Sequence, residues 1–249
     1  LCDSGAALAE AQGAPLELVH QDVMAPGVER WLTPTTHACA LHACGDLHRR
    51  LMEQAVAAGS ALTLAPCCYQ RTADAWYRPL SRLGADAMAR HGQTLSRGGL
   101  AIAVQETVTA PRHARRHRER AGAWRLGFDR LQRAVRGQDD YLPVPSLAYG
   151  RMPGSFADFC HWAAEQKGIA LPDGIDWVAC EAAGWRRRAE VARLELVRHL
   201  FRRPLEVWLA LDRLVFLEEA GYVAELGTFC DRELTPRNLL IRARRPASA

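Results

Sequence analysis

The stretch Ala38-Cys39-Ala40-Leu41-His42-Ala43-Cys44-Gly45-Asp46 decides the fold of this chain. Its small and apolar residues carry few charges, as is typical of a strand that a parallel sheet buries on both faces. Gly45 ends the run, and residues 46–58 continue with apolar side chains at helical spacing. A second apolar run, Ala61–Ala65, leads directly into Pro66-Cys67-Cys68-Tyr69. This order predicts two parallel strands joined by a crossover helix.

Further elements are predicted before and after this unit. A helix is expected over Cys2–Gly13 and a strand over Leu16–His20. Near the other end, Pro204 precedes a long amphipathic pattern, Leu205–Ala220, which Gly221 closes. Residues 222–229 and 238–243 follow as two strands of a hairpin, and the region between residues 72 and 203 is predicted to be mostly helical.

Composition restricts the class of protein. With 249 residues, of which 49% are hydrophobic and 24% charged, the chain can bury a large core. No stretch approaches the roughly 20 uncharged apolar residues that span a membrane, so we expect no membrane association and a cytoplasmic location. Eight cysteines, two of them adjacent, are too few for a disulfide scaffold in a chain of this length and are interpreted as reduced thiols.

Four segments resemble a family of methyltransferase-like proteins. They are Leu41–Leu47, Pro66–Tyr69, Glu219–Tyr222 and Thr235–Asn238. The family consists of class I S-adenosylmethionine-dependent enzymes with a Leu-His-X-Cys-Gly-Asp strand end, and the match covers residues 1–70 and 204–243. The resemblance implies an α/β fold with a Rossmann-like class I methyltransferase sheet. That sheet would be incomplete in its N-terminal half and carry a helical insertion and a C-terminal β-hairpin.

The resemblance also implies positions for the cofactor and the domains. Leu16–His20 matches the third strand, and Asp22 matches the acid that meets the adenine of S-adenosylmethionine. The glycine-rich first strand, which lies between the third and fourth strands of the family sheet, is absent. We therefore interpret the chain as an N-terminally truncated member that binds the cofactor weakly by itself. Residues 1–71 would be the core, 72–203 the insertion, and 204–249 a closing helix and hairpin.

Candidate site residues follow the two central strands. Ligands of open parallel sheets lie beyond the carboxyl ends of the strands, so these side chains are expected to converge there. His42 or Asp46 would take a proton from the methyl acceptor, and Tyr69 would stack on a planar substrate or bond to it. The catalytic set is His42, Asp46, Cys68 and Tyr69; the cofactor set is Asp22, Cys44 and Gly45; Cys67 is assigned to the substrate. The alternative is that Asp46 caps the next helix while His42 and Cys44 pack within the strand.

The cysteines allow two further interpretations. Pro66-Cys67-Cys68 is similar to the Pro-Cys pair of enzymes that methylate carbon 5 of pyrimidines, in which a thiolate adds to the ring. A metal site is the other interpretation, although a regular strand sends Cys39 and Cys44 to opposite faces, and adjacent cysteines diverge unless a turn intervenes. We assign no metal, and a zinc or iron–sulfur site using Cys44 with one or both of Cys67 and Cys68 stays open.

Residues 112–120 form the strongest local charge feature. Arg115 and Arg116, with Trp124 nearby, are assigned to RNA binding through phosphate contacts and base stacking. The alternative is a solvated basic helix face. The sequence thus predicts an S-adenosylmethionine-dependent methyltransferase with an RNA or protein acceptor. The second hypothesis is a non-catalytic RNA-binding or metal-binding relative that kept the sheet and lost the cofactor site.

Overall fold

The computed structural model describes residues 2–105, 111–147 and 150–246. These residues form two compact units, one within Leu1–Gln105 and Phe201–Ala249 and the other within Glu106–Leu200. Residues 72–105, which the sequence analysis grouped with the helical insertion, pack in the first unit.

The first unit is mixed α/β. Its elements in chain order are α1 (Cys2–Ala11), β1 (His37–Cys44), α2 (Asp46–Ala58), β2 (Ala61–Cys67), α3 (Arg82–Arg90), α4 (Arg97–Leu100), α8 (Arg202–Glu219), β3 (Val223–Thr228) and β4 (Leu239–Arg244). Short 3₁₀ helices occupy Val28–Trp31 and Ala101–Val104. The crossover helix has the predicted bounds, and the closing helix and hairpin differ from their predictions by a few residues.

The strands form an open, mixed, four-stranded sheet with the order β1-β2-β4-β3. β1 and β2 are parallel, while β4 runs antiparallel to both β2 and β3. The predicted parallel pair with its crossover helix is therefore confirmed, and so is the mixed α/β class. The two parallel strands place their carboxyl ends, and the motifs that follow them, at one edge of the sheet.

The predicted strand over Leu16–His20 is wrong. This segment makes no strand pairing in the described residues, and the side chains of Leu16, Leu18 and Val19 are exposed. A strand is stable only beside a hydrogen-bonded neighbour. Within the described ranges β1 pairs with β2 alone, so no strand lies along the other edge of β1 for the segment to approach.

The core of the first unit lies between one face of the sheet and the helices α2 and α8. Its fully buried side chains are Met52, Ala55, Leu62, Leu64, Leu217 and Ile241. Complete burial of each large aliphatic side chain contributes roughly 1.5–3 kcal/mol. This packing fixes the ends of β1 and β2, which is where the candidate residues lie.

The second unit is helical, with α5 (Arg112–Arg136), α6 (Phe156–Glu165) and α7 (Trp177–Leu200). Phe128, Phe159 and Cys160 are fully buried at its centre. α5 and α7 approach closely, since a Cβ on Gly184 would lie 2.4 Å from the carbonyl oxygen of Ala123.

In the ranges that the structure describes, no helix combines the length and the apolar character needed to cross a membrane.

Candidate functional site

A β-bulge at His42 reorients the end of β1. The register with β2 shifts between Leu41 and Ala43, and His42 has a left-handed backbone with φ 57°. As a result Ala38 and Ala43 are both buried although they are five positions apart, an odd offset that places residues of a regular strand on opposite faces. β1 is therefore not a regular strand, and Cys39 and Cys44 lie on the same face because the bulge inverts the alternation.

A second left-handed residue, Cys68, turns the chain just after β2, with φ 46°. The turn prevents the divergence expected of adjacent strand residues, and the Sγ atoms of Cys67 and Cys68 lie 3.4 Å apart. Cys44 joins them, so that the three Sγ atoms all lie within 4.8 Å of one another. The structure thus gathers three of the four cysteines that the sequence analysis considered as metal ligands.

The environment of these thiols favours their protonated form. Burial, followed by the hydrogen bond with Cys68, raises the pKa of Cys67 to about 11. Burial also raises the pKa of Cys44. A thiol is a far weaker nucleophile than a thiolate. Cys67 is buried and its pKa is raised. Both facts argue against a role in which its thiolate adds to a pyrimidine ring.

Gly45 and Asp46 form hydrogen bonds with the end of β2 and the loop that follows it. The amides of Gly45 and Asp46 donate to the carbonyls of Cys67 and Arg71, each at 3.0 Å. The Oδ2 atom of Asp46 accepts a hydrogen bond from the amide of Ala73 at 2.9 Å. The carboxylate thus binds a neighbouring loop rather than capping its own helix, and it holds that loop against the end of β1.

Tyr69 follows Cys68 directly and packs in a buried cluster with Leu100 and Leu209. It is 3% exposed, and burial raises its pKa. The guanidinium of Arg213 lies 4.8 Å from its ring centre, and His48 meets the ring at 5.6 Å in a T-shaped contact. The interpretation that Tyr69 stacks on a substrate is wrong, because packing already covers the ring.

A buried polar network adjoins Tyr69, and no sequence motif predicted it. His48 accepts at Nε2 from Nε of Arg213 at 3.1 Å, which leaves Nδ1 to donate to the carbonyl of Ala43 at 3.1 Å. Nη1 of Arg213 donates to Oη of Tyr77 at 2.7 Å, and that hydroxyl donates to Oδ2 of Asp212 at 2.5 Å. The only sequence signal was an Asp-Arg pair within the apolar pattern of the closing helix.

His48 gives the fold a predictable pH dependence. Burial, and then the charge of Arg213, lower its pKa to about 3. An unfolded histidine titrates near pH 6.5, so below that pH the unfolded state binds a proton that the folded state excludes. Stability is then lost at about 1.4 kcal/mol per pH unit, which is about 2 kcal/mol between pH 7 and pH 5.

Urea unfolding at pH 7 and pH 5 tests this dependence. His48→Gln removes the titrating group, so its stability should fall by about 2 kcal/mol less than that of the wild type over this range. His42→Gln, at an exposed position, is the control and should follow the wild type. Parallel pH profiles of the wild type and His48→Gln would contradict the assignment.

Arg237 brings a third motif to the cysteines. It belongs to the loop between β3 and β4, within the quoted segment Thr235–Asn238. Its Nη1 donates to Sγ of Cys67 at 3.6 Å, and its Nη2 donates to the carbonyl of Val104 at 3.3 Å. The sequence alone gives this arginine no role. The guanidinium of Arg237 therefore places a positive charge beside the thiol of Cys67.

The residues assigned to S-adenosylmethionine do not form a pocket by themselves. Asp22 is exposed, and its carboxylate accepts from the amide of Met24 at 2.9 Å in a local turn. Gly45 is covered by the Arg71 carbonyl, and the cavity beside Gly45, Asp46 and Tyr69 has a volume of about 20 Å³. A single water molecule needs about 10–15 Å³ of such volume, so this cavity is far too small for S-adenosylmethionine. The described residues therefore do not fit the cofactor.

The basic run forms the first half of α5. Arg115 and Arg116 are exposed, and Arg112, Arg116 and Arg120 recur every four residues along one face. Trp124 is 3% exposed, and its Nε1 donates to Oε1 of Glu181 at 2.7 Å. The base-stacking role of Trp124 is therefore wrong, because the indole belongs to the core of the second unit.

No family model and no solved structure matches the chain. The site is accordingly defined by its geometry. That geometry unites Cys44, Cys67, Cys68 and Arg237, places Asp46 against the loop after β2, and leaves His42 exposed at the bulge.

Proposed function

We propose that this protein is a class I S-adenosylmethionine-dependent methyltransferase acting on RNA or protein, and that the described residues supply the acceptor side of its site. One observation carries the proposal. Three segments that define the resemblance, far apart in sequence, meet at the carboxyl ends of two parallel strands through Cys44, Cys67 and Arg237. Ligands of open parallel sheets bind at this edge.

The architecture supports a Rossmann-like assignment. Parallel β1 and β2 joined by α2 form a βαβ unit, and the closing hairpin returns to the sheet through the pairing of β4 with β2. The edge of β1 that faces away from β2 is unpaired in the described part of the chain. The resemblance puts the glycine-rich first strand beside that edge, and such a strand would supply the cofactor side.

The side chains of this edge suit the acceptor side of the reaction. His42 is exposed at the bulge, and Asp46 is half-buried with its carboxylate held by Ala73. Either group can accept the proton that the acceptor loses. Cys68 is half-buried within the cysteine cluster. The residues assigned to the cofactor form no pocket. The role proposed for the described residues is therefore limited to holding the methyl acceptor and accepting its proton.

Calorimetry tests the cofactor half of the proposal. The longer form is the chain together with any residues that its gene encodes before Leu1. S-adenosylmethionine should bind to the longer form when it includes the glycine-rich first strand, and should bind only weakly to the 249-residue chain. In the longer form Asp22→Ala should weaken binding about tenfold, the effect of one lost hydrogen bond. Cys68→Ser should leave binding unchanged.

Two calorimetric results would contradict the proposal. Tight binding by the 249-residue chain would overturn the division between cofactor and acceptor sides. RNA binding without any cofactor binding by the longer form would favour the second hypothesis, a non-catalytic relative.

The basic face of α5 gives a separate prediction for an RNA acceptor. Combined replacement of Arg112, Arg116 and Arg120 by glutamine removes three cations from one helix face. We expect about tenfold weaker binding of single-stranded RNA, and a salt dependence shallower by about 2 in slope, since each single-strand phosphate contact contributes about 0.7. Fluorescence anisotropy at several salt concentrations measures both quantities.

Exposed Arg186, Arg187 and Arg193 on α7 provide the matched control, since their replacement removes the same number of cations. Their replacement by glutamine should change affinity and slope less than the α5 variant does. Equal losses in the two variants, or none in the α5 variant, would remove the α5 face as an RNA contact.

A further inference from the structure

We propose that Cys44, Cys67 and Cys68 bind one Zn²⁺ ion through three thiolates and leave its fourth position open. Their Sγ atoms all lie within 4.8 Å of one another, and those of Cys67 and Cys68 are 3.4 Å apart. Tetrahedral zinc with Zn–S bonds of about 2.3 Å holds its sulfur ligands about 3.8 Å apart. Small side-chain adjustments would therefore complete the site.

The backbone is arranged to bring these thiols together. The bulge at His42 and the turn at Cys68 are the two non-glycine residues with positive φ in the described residues. Each such position costs on the order of 1–3 kcal/mol and persists where the surrounding structure over-determines it. Without the bulge Cys44 would face the other side of the sheet, and without the turn Cys67 and Cys68 would diverge. Both strained positions therefore bring together the same three cysteines.

The charge around the cluster also suits a cation held by thiolates. Zn²⁺ displaces the thiol protons when it binds, and three thiolates around it carry a net charge of −1. The guanidinium of Arg237 lies beside Sγ of Cys67 at 3.6 Å and would balance that charge. The soft sulfur ligands select zinc over magnesium or calcium.

Three protein ligands define the kind of zinc site. Structural zinc sites are closed by four protein ligands, whereas catalytic sites hold three and leave a position for water or substrate. Among the described residues the cluster contains three ligand atoms. The open position lies at the carboxyl edge of β1 and β2, where it would accept water or a heteroatom of a bound molecule. This site goes beyond the proposed methyl transfer and does not depend on it.

Metal titration tests the site. Metal-free protein, kept reduced with a phosphine, is titrated with Zn²⁺ against a chromophoric chelator and separately with Co²⁺. One equivalent should bind, and cobalt should show thiolate charge-transfer bands and the visible spectrum of tetrahedral coordination. Cys44→Ser, Cys67→Ser and Cys68→Ser should each weaken zinc binding on the order of 100-fold. Cys39→Ser, on the same strand but outside the cluster, is the control and should bind as the wild type does.

Alkylation of the wild-type protein gives a test that does not depend on the folding of variants. Zn²⁺ should protect half-buried Cys44 and Cys68 from a maleimide, as read by mass spectrometry, while half-buried Cys230 and exposed Cys39 react equally with and without the ion. Substoichiometric zinc binding, equal losses in Cys39→Ser, or unprotected Cys44 and Cys68 would each overturn the proposal. The cofactor titration of the longer form is a separate measurement, so failure of one proposal leaves the other standing.

Discussion

Asp212→Ala is expected to destabilise the protein by about 4 kcal/mol, the cost of leaving a buried opposite charge and its donors without a partner. Asp212 is 5% exposed. Its carboxylate accepts from the Tyr77 hydroxyl at 2.5 Å, from the amides of Leu80 and Ser81 at 2.8 and 3.1 Å, and from the Ser81 hydroxyl at 2.6 Å. It also lies 3.5 Å from the Arg213 guanidinium.

Alanine would leave these donors buried without an acceptor and the Arg213 charge without its carboxylate. Urea unfolding at pH 7 measures the loss. Asp86→Ala, at an exposed site on α3, is the matched control and should change stability by less than about 0.5 kcal/mol. A loss below about 1 kcal/mol in Asp212→Ala would show that the network does not stabilise the fold as its geometry indicates.

Gly45→Ala is expected to cost about 3 kcal/mol through strain and a lost hydrogen bond. Gly45 has φ 54°, a conformation that alanine adopts only with strain. A Cβ there would lie 1.7 Å from the carbonyl oxygen of Arg71, which accepts the amide hydrogen bond of Asp46. The loop after β2 would have to move, and the turn at Cys68 would move with it.

Gly92→Ala is the control for positive φ alone, since Gly45 also has ψ −122°, a combination that glycine dominates. Gly92 has nearly the same φ, 57°, but a Cβ there would meet nothing within 4 Å. Its replacement should cost only the backbone strain, about 1 kcal/mol. Thermal or urea unfolding of both variants gives the difference. Equal costs would contradict the close approach of the Arg71 carbonyl to Gly45.

The parts of the fold that follow local patterns were predictable from sequence. Apolar runs and helical spacing located β1, α2 and β2, and their order required a parallel pair. The closing helix and hairpin followed from Pro204, Gly221 and two alternating segments. Leu16–His20 has the same local pattern and failed, because pairing with a neighbouring strand decides whether such a pattern becomes a strand.

The chemistry of the site depended on features without a local signature. A bulge at His42 and a left-handed turn at Cys68 decide which cysteines meet, and neither position carries the glycine that usually marks positive φ. Tyr69 and Trp124 looked like substrate contacts in sequence, yet tertiary packing buries both. The bond between His48 and Arg213 joins residues 165 positions apart, which no motif could reveal.

The most direct test of the proposed function is transfer of a labelled methyl group. The longer form of the protein is incubated with methyl-labelled S-adenosylmethionine and with RNA or protein from cells that lack the gene. We predict label in one of these two fractions, with most of it lost in Cys68→Ser and in Asp46→Asn but retained in the exposed control Asp86→Asn. Absence of label from both fractions, or full incorporation by the Cys68 and Asp46 variants, would contradict the acceptor site at the carboxyl ends of β1 and β2.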